Sequence, residues 1–542
     1  MSFSQSWLEN SSSIKKIFAI VTVFNKNIGQ DEQLFLSNAL YSIPAAGVYF
    51  TPCLGGNLNF TERVQITPGA VNIDNGTLEL LNYSGELDSW LDSNSYVWYN
   101  RPIKIYVGDP TWTTTGIANF ESTFKLVFKG IVEDIDGTDQ NRLGLKLRSL
   151  LAKLNASISE LTLEGERDAS TVEDLSQKFA PIILGEVFNI QPQLTSPADL
   201  KYILHKAPGT SSYKRVKGVI EIRDNGIPLY TESKGNLAGW YTGSPGTVSP
   251  LDGCFTLGAQ PAGTITCSVQ GDNRVVNLLN GTIVDDSTSY TNNVYSIIAL
   301  ILMAYGTPES RLSHSEISWN SFAVTNYVSG GNSSVGLYIN SRDNILPILQ
   351  KLAESSGVQI VAGVDGVVKL VKLGSPSTDT NVISGITPDD IISNSFSVSS
   401  RPEVVAAVKL GYCKTWYKQS DISASQIPEE HKDLVKTEYM YVTAQDPATA
   451  ALYKLPLDVE PTDTYLINEA QAAARAQEIL DYFKVQKTVY KFKGVSKLMQ
   501  LNLGQFVTIT HPRFGFAAGK QAQVVSLTYN YADFSVDVEV IC

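Results

Sequence analysis

The sequence predicts a mainly β, multidomain protein with α+β parts. Three observations support this fold class. Short runs of β-branched and aromatic residues recur between turn residues along most of the chain. Only 18% of the residues are charged, and Ser, Thr, Asn and Gly are abundant, as in proteins rich in strands and turns. The length of 542 residues suffices for three or four domains of about 150 residues each.

Residues 14–165 are predicted to form an N-terminal β-domain, preceded by a polar arm over residues 1–13. Along residues 102–107, apolar residues alternate with Lys104 and Tyr106, which is typical of a strand with one buried face. The predicted strands are residues 17–24, 102–107, 124–135 and 142–148, with a turn at Asp136 and Gly137 before the last of them.

The next two regions differ in composition. Ser170 and Glu173 have the spacing of a capping box, which predicts a connecting helix over residues 166–180. Glycine and proline then recur, and short strands alternate with turns such as residues 224–226. Residues 181–285 are therefore predicted to form a small β-domain.

Residues 286–400 are predicted to be an α+β region. Asn293 can cap a helix over residues 294–305, and apolar residues on nearly every face of that helix predict its burial. A second helix over residues 344–356 ends at Gly357. A hairpin of two strands, residues 358–362 and 367–373, follows this helix.

Residues 401–542 are predicted to form a C-terminal domain with one long helix over residues 466–484. Five apolar residues fall on one stripe of that helix: Ala472, Ala476, Ile479, Leu480 and Phe483. The predicted strands are residues 404–410, 506–510, 522–530 and 534–541.

The strands near the C-terminus follow the same order as strands in the N-terminal domain. Residues 103–107, 130–135 and 142–148 correspond to residues 506–510, 523–529 and 534–541. Alternating strands at such spacing also arise by chance, so the sequence leaves open both an internal duplication and a coincidence.

The charge balance argues against a nucleic-acid-binding protein. The formal net charge is −12, and the chain has no excess of Lys and Arg to displace counterions from phosphates. The sequence also contains no run of about 18 apolar residues, so no membrane span is expected. Because residues 1–13 are polar and do not resemble a secretory signal, we expect folding in a cytoplasm.

The cysteines do not predict a cofactor site. Cys53, Cys254, Cys267, Cys413 and Cys542 are scattered, without a C-x-x-C pair or a His at zinc spacing. Cys254 and Cys267 could face each other across a hairpin, but reduced thiols are expected in a cytoplasmic protein. We predict no metal and no iron–sulfur cluster.

Two loops contain residues typical of ion sites. Residues 515–521 resemble a phosphate-binding loop, but one residue is missing between the glycines, Gln521 replaces the Ser or Thr, and a strand follows. Residues 134–141 offer carboxylates, but no Glu closes a calcium loop. We predict a hairpin connection and a solvated turn, respectively.

No residue is assigned a catalytic role, and the chain is predicted not to be an enzyme. His205, His314, His431 and His511 lie in four separate regions and are expected at the surface or in loops. A peptidase could pair Cys413 with His431 or His511, but nothing near that cysteine in the sequence would lower the pKa of its thiol.

Carbohydrate chemistry is a further option. A glycosidase needs only two carboxylates about 5 to 9 Å apart, and the chain has 54 acidic residues. Trp240, Tyr241 and the aromatic residues within 96–99 could stack on sugar rings, although such residues more often lie in cores or interfaces.

Several stretches carry a resemblance to a known family. They are residues 101–109, 128–135, 181–189, 202–205, 224–228, 255–263, 344–373 and 503–515, with Gly519 and Lys520. They cover most of the chain in order, and they resemble the baseplate hub or tail-tip proteins of long-tailed bacteriophages.

The resemblance implies a structural virion protein with two related tube-like β-domains, one N-terminal and one C-terminal. In such a protein, three copies form a ring of six similar positions at the distal end of the tail tube. This hub joins the sixfold tube to a threefold tip or fibre and surrounds the DNA exit channel. Some relatives hold an iron–sulfur cluster, but the cysteines of this chain do not gather in that way.

The expected partners are two further copies of the chain, the tail tube or distal tail protein ring, the central fibre or tip protein, and the tape-measure protein. Assembly is expected in the cytoplasm of a host bacterium, without sequence-specific binding of nucleic acid. Two alternatives remain: a tail-associated enzyme that degrades the cell wall, and a carbohydrate-binding adhesin that uses residues 181–285. A trimer would carry three times −12, and we expect acidic or neutral side chains to face its channel.

Overall fold

A computed structural model describes most of the chain. The described residues are 7–8, 10, 14–66, 70–72, 75–83, 85–139, 141–164, 175–208, 215–231, 248–249, 252–285, 290–330, 333–375, 383–419, 432 and 435–542. Ser170, Glu173, Trp240, Tyr241 and His431, which the sequence analysis singled out, lie outside them.

The N-terminal part is almost entirely β-structure. Its elements are β1 (Lys16–Asn25), β2 (Gln30–Ser37), β3 (Tyr41–Ile43), β4 (Val48–Pro52), β5 (Leu54–Arg63), β6 (Ala70–Asn72), β7 (Asn75–Leu81), α1 (Asp88–Leu91), β8 (Tyr96–Val97), β9 (Pro102–Gly108), α2 (Ile117–Thr123), β10 (Lys125–Asp139) and β11 (Arg142–Ser149).

The middle part begins with short strands and continues with helices. Its elements are β12 (Ile182–Ile190), β13 (Gln193–Ser196), β14 (Lys201–Ile203), β15 (Val216–Asp224), β16 (Ile227–Thr231), β17 (Val248–Ser249), β18 (Cys254–Thr256), β19 (Ile265–Asp272), β20 (Arg274–Val276), β21 (Ile283–Asp285), α3 (Val294–Ala304), α4 (Trp319–Val328), β22 (Gly336–Ile339), α5 (Ile345–Ser356), β23 (Val358–Ala362), β24 (Val368–Lys372), β25 (Gly385–Ile386) and β26 (Ser397–Ser400).

The C-terminal part contains the longest helix of the described residues. Its elements are β27 (Ala407–Tyr412), β28 (Met440–Gln445), α6 (Pro447–Tyr453), β29 (Thr462–Asp463), α7 (Glu469–Phe483), β30 (Val489–Gly494), β31 (Phe506–Ile509), β32 (Lys520–Asn530) and β33 (Ser535–Ile541). Across the described residues, the predicted mainly β, multidomain fold class is confirmed.

One sheet of sixteen described strands joins the two ends of the chain. Its main path runs β26-β30-β33-β32-β5-β7-β11-β10-β9-β1-β2-β4-β3. N-terminal residues such as Ile17 and Leu147 share one hydrophobic core with C-terminal residues such as Val507 and Val538. The N- and C-terminal parts therefore do not have separate cores.

The middle part packs around helix α3. A sheet of order β16-β15-β19-β12-β22 shows that the region 181–285 is not self-contained, because β22 lies outside it in sequence. Helix α3 is capped by the Asn293 side chain, which accepts hydrogen bonds from Tyr295 N and Ser296 N, and every residue from 294 to 302 is buried. The predicted buried helix is confirmed.

Other predicted elements are also confirmed. Helix α5 has Asn344 as its N-cap and Gly357, at φ 73°, as its C-cap, and the β23–β24 hairpin follows. Helix α7 starts later than predicted, after Asn468, whose side chain accepts a hydrogen bond from Gln471 N.

One prediction is wrong, and two others differ from the structure in part. Asp136 and Gly137 are not a turn: they lie in β10 opposite Gly144 and Leu143, and the connection to β11 comes after Asp139. Residues 166–174 of the predicted helix over residues 166–180 lie outside the described residues, and residues 175–180 are not helical but contain a turn and an isolated bridge of Phe179 to Thr162. The strand predicted over residues 404–410 is present with different bounds, from Ala407 to Tyr412, because Val405 N donates to Phe483 O of α7.

Candidate functional site

The candidate site is the surface where the N-terminal strands meet the C-terminal strands. Strand β5 pairs antiparallel with β32, with Arg63 opposite Ser526 and Asn59 opposite Asn530. The hydroxyl oxygens of Thr61 and Thr528 lie 3.0 Å apart across this joint. A continuous ladder therefore links strands that are far apart in sequence.

The strands on the two sides of the joint repeat one topology. The first set is β5, β7, β9, β10 and β11, and the second set is β26, β30, β31, β32 and β33. If the strands of each set are numbered one to five along the chain, both sets have the spatial order 1-2-5-4-3, and every pair is antiparallel.

A β-bulge fixes the alignment of the two sets. In β10 the pairing with β11 shifts between Val132 and Asp134. In β32 the pairing with β33 shifts between Val524 and Ser526. When the two bulges are superimposed, Asp134 is equivalent to Ser526. This alignment differs by one residue from the alignment obtained when the first residues of the strands, 130 and 523, are matched. Because bulges are usually retained as designed features of a fold, their shared position favours an internal duplication over coincidence.

The joined sheet has one apolar face and one polar face. Alternate residues such as Phe60, Leu78, Leu145, Leu527 and Val538 point into the shared core. Their neighbours point to the other side. Along β5, β7, β11, β30, β33 and residues 133–137 of β10, six of these are basic (Arg63, Arg142, Lys146, Arg148, Lys491 and Lys493) and six are acidic (Glu79, Glu133, Asp134, Asp136, Asp537 and Glu539). Lys104 of β9 also points to this side, where it is paired with Glu121 at 2.6 Å.

Opposite charges on this polar face lie next to each other. Lys146 Nζ is 2.8 Å from Asp136 Oδ2, Arg142 contacts Glu79 at 3.6 Å, and Arg148 is bound to Glu133. Lys493 Nζ is 2.7 Å from Asp533, in the turn after β32. The face is therefore polar, ion-paired and balanced in formal charge.

The two loops that resembled ion sites have other roles. Asp134 and Asp136 lie on the polar face, as described above. Residues 515–519 belong to the connection between β31 and β32, as predicted, with Gly515 and Gly519 at positive φ, and residues 520–521 begin β32. Phe516 in this loop is fully buried against Phe396 and Tyr490.

The cysteines are free thiols. Cys254 and Cys267 lie on β18 and β19, which belong to different sheets. Burial raises the pKa of the Cys413 thiol to about 11, and the nearby Glu186 adds to this effect. A thiol with such a pKa stays protonated at neutral pH and is a poor nucleophile. Within the described residues, no three His, Cys, Asp or Glu side chains converge as metal ligands.

The aromatic residues near Tyr99 divide between core and surface. Trp98 is buried, and its indole N–H donates to Trp90 O at 2.7 Å, as expected for a core aromatic. Tyr99 is exposed. In the described part of the chain, no helix is both long and apolar enough to cross a bilayer.

His205 lies in the loop after β14, in keeping with the expectation of a surface or loop position, but it is not exposed. It is fully buried, and its Nδ1 accepts a hydrogen bond from Ile183 N at 3.0 Å. Its Nε2 lies 3.9 Å from Asp272 Oδ2. The sequence contains no signal for this burial, because a loop histidine is usually exposed. His314 and His511 do lie in loops or short turns.

His205 belongs to a buried polar cluster with Asp272, Arg274 and Tyr305. Asp272 Oδ2 accepts hydrogen bonds from Arg274 Nη2 at 2.5 Å and from the Tyr305 hydroxyl at 2.6 Å. Burial alone would raise the pKa of Asp272, but the Arg274 guanidinium lowers it below its usual range. The four side chains join β19 and β20 to the end of α3. Because all four are buried, they offer no access to a substrate.

The cluster predicts a pH-dependent stability. Burial lowers the pKa of His205 to about 4, although Asp272 opposes the shift. The unfolded chain therefore binds a proton near pH 6.5 that the folded chain binds only near pH 4. The free energy of unfolding should fall as pH drops through this window, by up to about 3 kcal/mol. Urea unfolding at pH 7 and at pH 4.5 measures this loss.

The variant His205→Asn provides the control for this prediction. Its amide oxygen can accept the hydrogen bond from Ile183 N, but the side chain does not titrate. The variant should lose less stability between pH 7 and pH 4.5 than the natural chain. Equal losses in both proteins would assign the pH dependence to other groups.

Comparisons with solved structures match the chain to tail proteins at low identity. One is the 43 kDa tail protein of prophage MuSo2 from Shewanella oneidensis, at 10% identity and TM-score 0.38, with 97% of this chain and 98% of that chain covered. A second is a tail protein from Neisseria meningitidis MC58, at 8% identity and TM-score 0.38, with 96% of each chain covered. A third is the prophage tail protein gp18 of Listeria monocytogenes EGD-e, at 8% identity and TM-score 0.34, with 97% and 94% covered. No family model and no curated protein matches the chain.

Proposed function

We propose that this chain is a structural protein of a bacteriophage tail, the baseplate hub at the distal end of the tail tube. In this role three copies form a ring of six similar sheet units, which adapts the sixfold tube to a threefold tip or fibre. The ring surrounds the channel through which DNA leaves.

The repeated topology is the observation that carries this proposal. Two five-stranded units with the same strand order and the same bulge stand side by side in one sheet. A ring with sixfold character can be built from three copies only if each copy supplies two equivalent units. This chain supplies such a pair.

The polar face of the joined sheet is the proposed channel lining. The six basic and six acidic residues on its strands around the joint cancel in formal charge, and several are already ion-paired, as is Lys104 with Glu121. DNA binds proteins chiefly when Lys and Arg release counterions from phosphates. A lining without excess positive charge lets the polyanion pass without being retained, which agrees with the expected acidic or neutral channel.

A non-enzymatic role is part of the proposal. Cys413 is a protonated, half-buried thiol, and the His205 cluster has no access to a substrate. The proposed partners, besides two further copies of the chain, are the tail tube or distal tail ring, the central fibre or tip protein, and the tape-measure protein.

Imaging of virions tests the hub assignment. An antibody against this chain, added to virions of a phage that encodes it, should label only the distal end of the tail in negative-stain micrographs. Label along the tail shaft or on the capsid would overturn the assignment. Release of peptidoglycan fragments by the purified chain would instead support a wall-degrading enzyme, and saturable binding to host surface glycans would support an adhesin.

A further inference from the structure

The two repeated units leave two matching sheet edges open in the described residues. The first edge belongs to β26, which ends the main path of the sheet. The second edge belongs to the end of β10, whose pairing with β9 stops at Ile131 opposite Pro102. Beyond the bulge, β10 continues to Asp139 with β11 on one side only. The Ile135 N–H bonds the Asp134 carboxylate instead of a neighbouring strand, at 2.9 Å.

The internal joint occupies the equivalent edges. Within the chain, β5 pairs with the end of β32, and β5 is equivalent to β26 while β32 is equivalent to β10. Each equivalence can be followed across the ladders. In the first set, Asn59 lies opposite Thr77, Thr77 opposite Lys146, and Lys146 opposite Asp134. In the second set, Ser397 lies opposite Lys491, Lys491 opposite Glu539, and Glu539 opposite Ser526. Asn59 is therefore equivalent to Ser397, and Asp134 to Ser526.

We infer that β26 of one copy pairs antiparallel with the end of β10 of a second copy and repeats the β5–β32 joint between copies. This inference rests on the proposed ring and names the edges that close it. The register follows from the internal joint. Phe60 lies opposite Tyr529, so their equivalents, Val398 of one copy and Gly137 of the next, lie opposite each other.

The chemistry of the two edges fits this pairing. Val398 is 38% exposed although it is equivalent to the buried Phe60, so a neighbouring strand would cover it. Gly137 has no side chain to obstruct it. The exposed Arg401 follows β26 directly, and in this register it comes close to the exposed Asp134 of the β10 edge, whereas Glu133 and Asp136 are already paired with Arg148 and Lys146. Since the two edges differ, the contact is head-to-tail, and such contacts form a ring when their rotation closes. The proposed ring of three copies requires each contact to repeat the geometry of the internal joint.

Disulfide trapping in the purified full-length chain tests the register. Residues directly opposite each other in an antiparallel pair have Cα atoms about 4.5 to 5.5 Å apart, within the range of a disulfide. The double variant Val398→Cys, Gly137→Cys should form covalent dimers and trimers on mild oxidation, seen by non-reducing electrophoresis. The matched control, Val398→Cys with Asp136→Cys, places the second thiol on the opposite face of the sheet and should give about tenfold less product.

The mass in solution separates this inference from the hub proposal. Light scattering under reducing conditions should give a trimer for the natural chain and for both double variants, with unchanged melting temperatures. A trimer in which positions 398 and 137 do not cross-link would overturn the inferred edges and leave the hub assignment standing. A chain that stays monomeric at every concentration would also overturn the inference, and virion imaging would then decide the hub assignment independently.

Discussion

Asp272→Ala is expected to lower the free energy of unfolding by about 3 to 5 kcal/mol, because it leaves a buried cation without its partner. Arg274 Nη2 and Nε both bond the Asp272 carboxylate, and the Arg274 side chain is only 4% exposed. The Tyr305 hydroxyl also loses its acceptor. Chemical denaturation of the purified variant measures the loss.

Asp31→Ala is the matched control for this variant. Asp31 accepts an ion-paired hydrogen bond from Arg101 at 2.9 Å, but its side chain is 56% exposed. An exposed pair contributes about 0 to 1 kcal/mol, so this variant should stay close to the natural chain. Equal losses in the two variants would show that burial does not set the strength of the Asp272 cluster.

Phe60→Ala is expected to cost about 3 to 5 kcal/mol as well, because it opens a cavity where the two halves of the sheet meet. The ring is 1% exposed and is stacked on Phe128 at 4.2 Å between centroids. It also fills the space over Gly76, where a β-carbon would lie 2.2 Å from the ring. The loss should appear in denaturant unfolding, and limited proteolysis should cut the variant near the joint more readily.

Tyr99→Ala controls for the loss of an aromatic ring as such. Tyr99 is 63% exposed, and substitutions at such surface positions usually change stability by about 0.5 kcal/mol or less. A variant at Phe60 that unfolds like the variant at Tyr99 would mean that the joint does not depend on this packing.

Local patterns in the sequence predicted much of the fold because their causes are local. Asn293, Asn344 and Gly357 act within a few residues of a helix end, so they marked α3 and α5 correctly. The turn predicted at Asp136 and Gly137 was wrong because an Asp-Gly pair is also tolerated inside a strand. Gly137 lies opposite Leu143 and extends the ladder. Turn chemistry alone does not decide where a ladder ends.

The candidate site could be predicted only in part. The correspondence of N- and C-terminal strands was visible in their order, but the one-residue shift set by the bulges before Asp134 and Ser526 was not. The pairing of β5 with β32 has no signature in either strand, because register between distant segments depends on burial in the assembled core. For the same reason, the burial of His205 beside Asp272 could not be predicted from the residues around it.

The pairing of β5 with β32 also has a consequence for synthesis of the chain. Thr61 on β5 cannot pair with Thr528 on β32 until the ribosome has synthesised the 467 residues that separate them. At about 5 to 20 residues per second, the ribosome needs about 25 to 90 s to cover that distance. During this time β5 has an unpaired edge, and such an edge can pair with a strand of another nascent chain. Shielding of the β5 edge until the last strands emerge would therefore protect the nascent chain from such pairing.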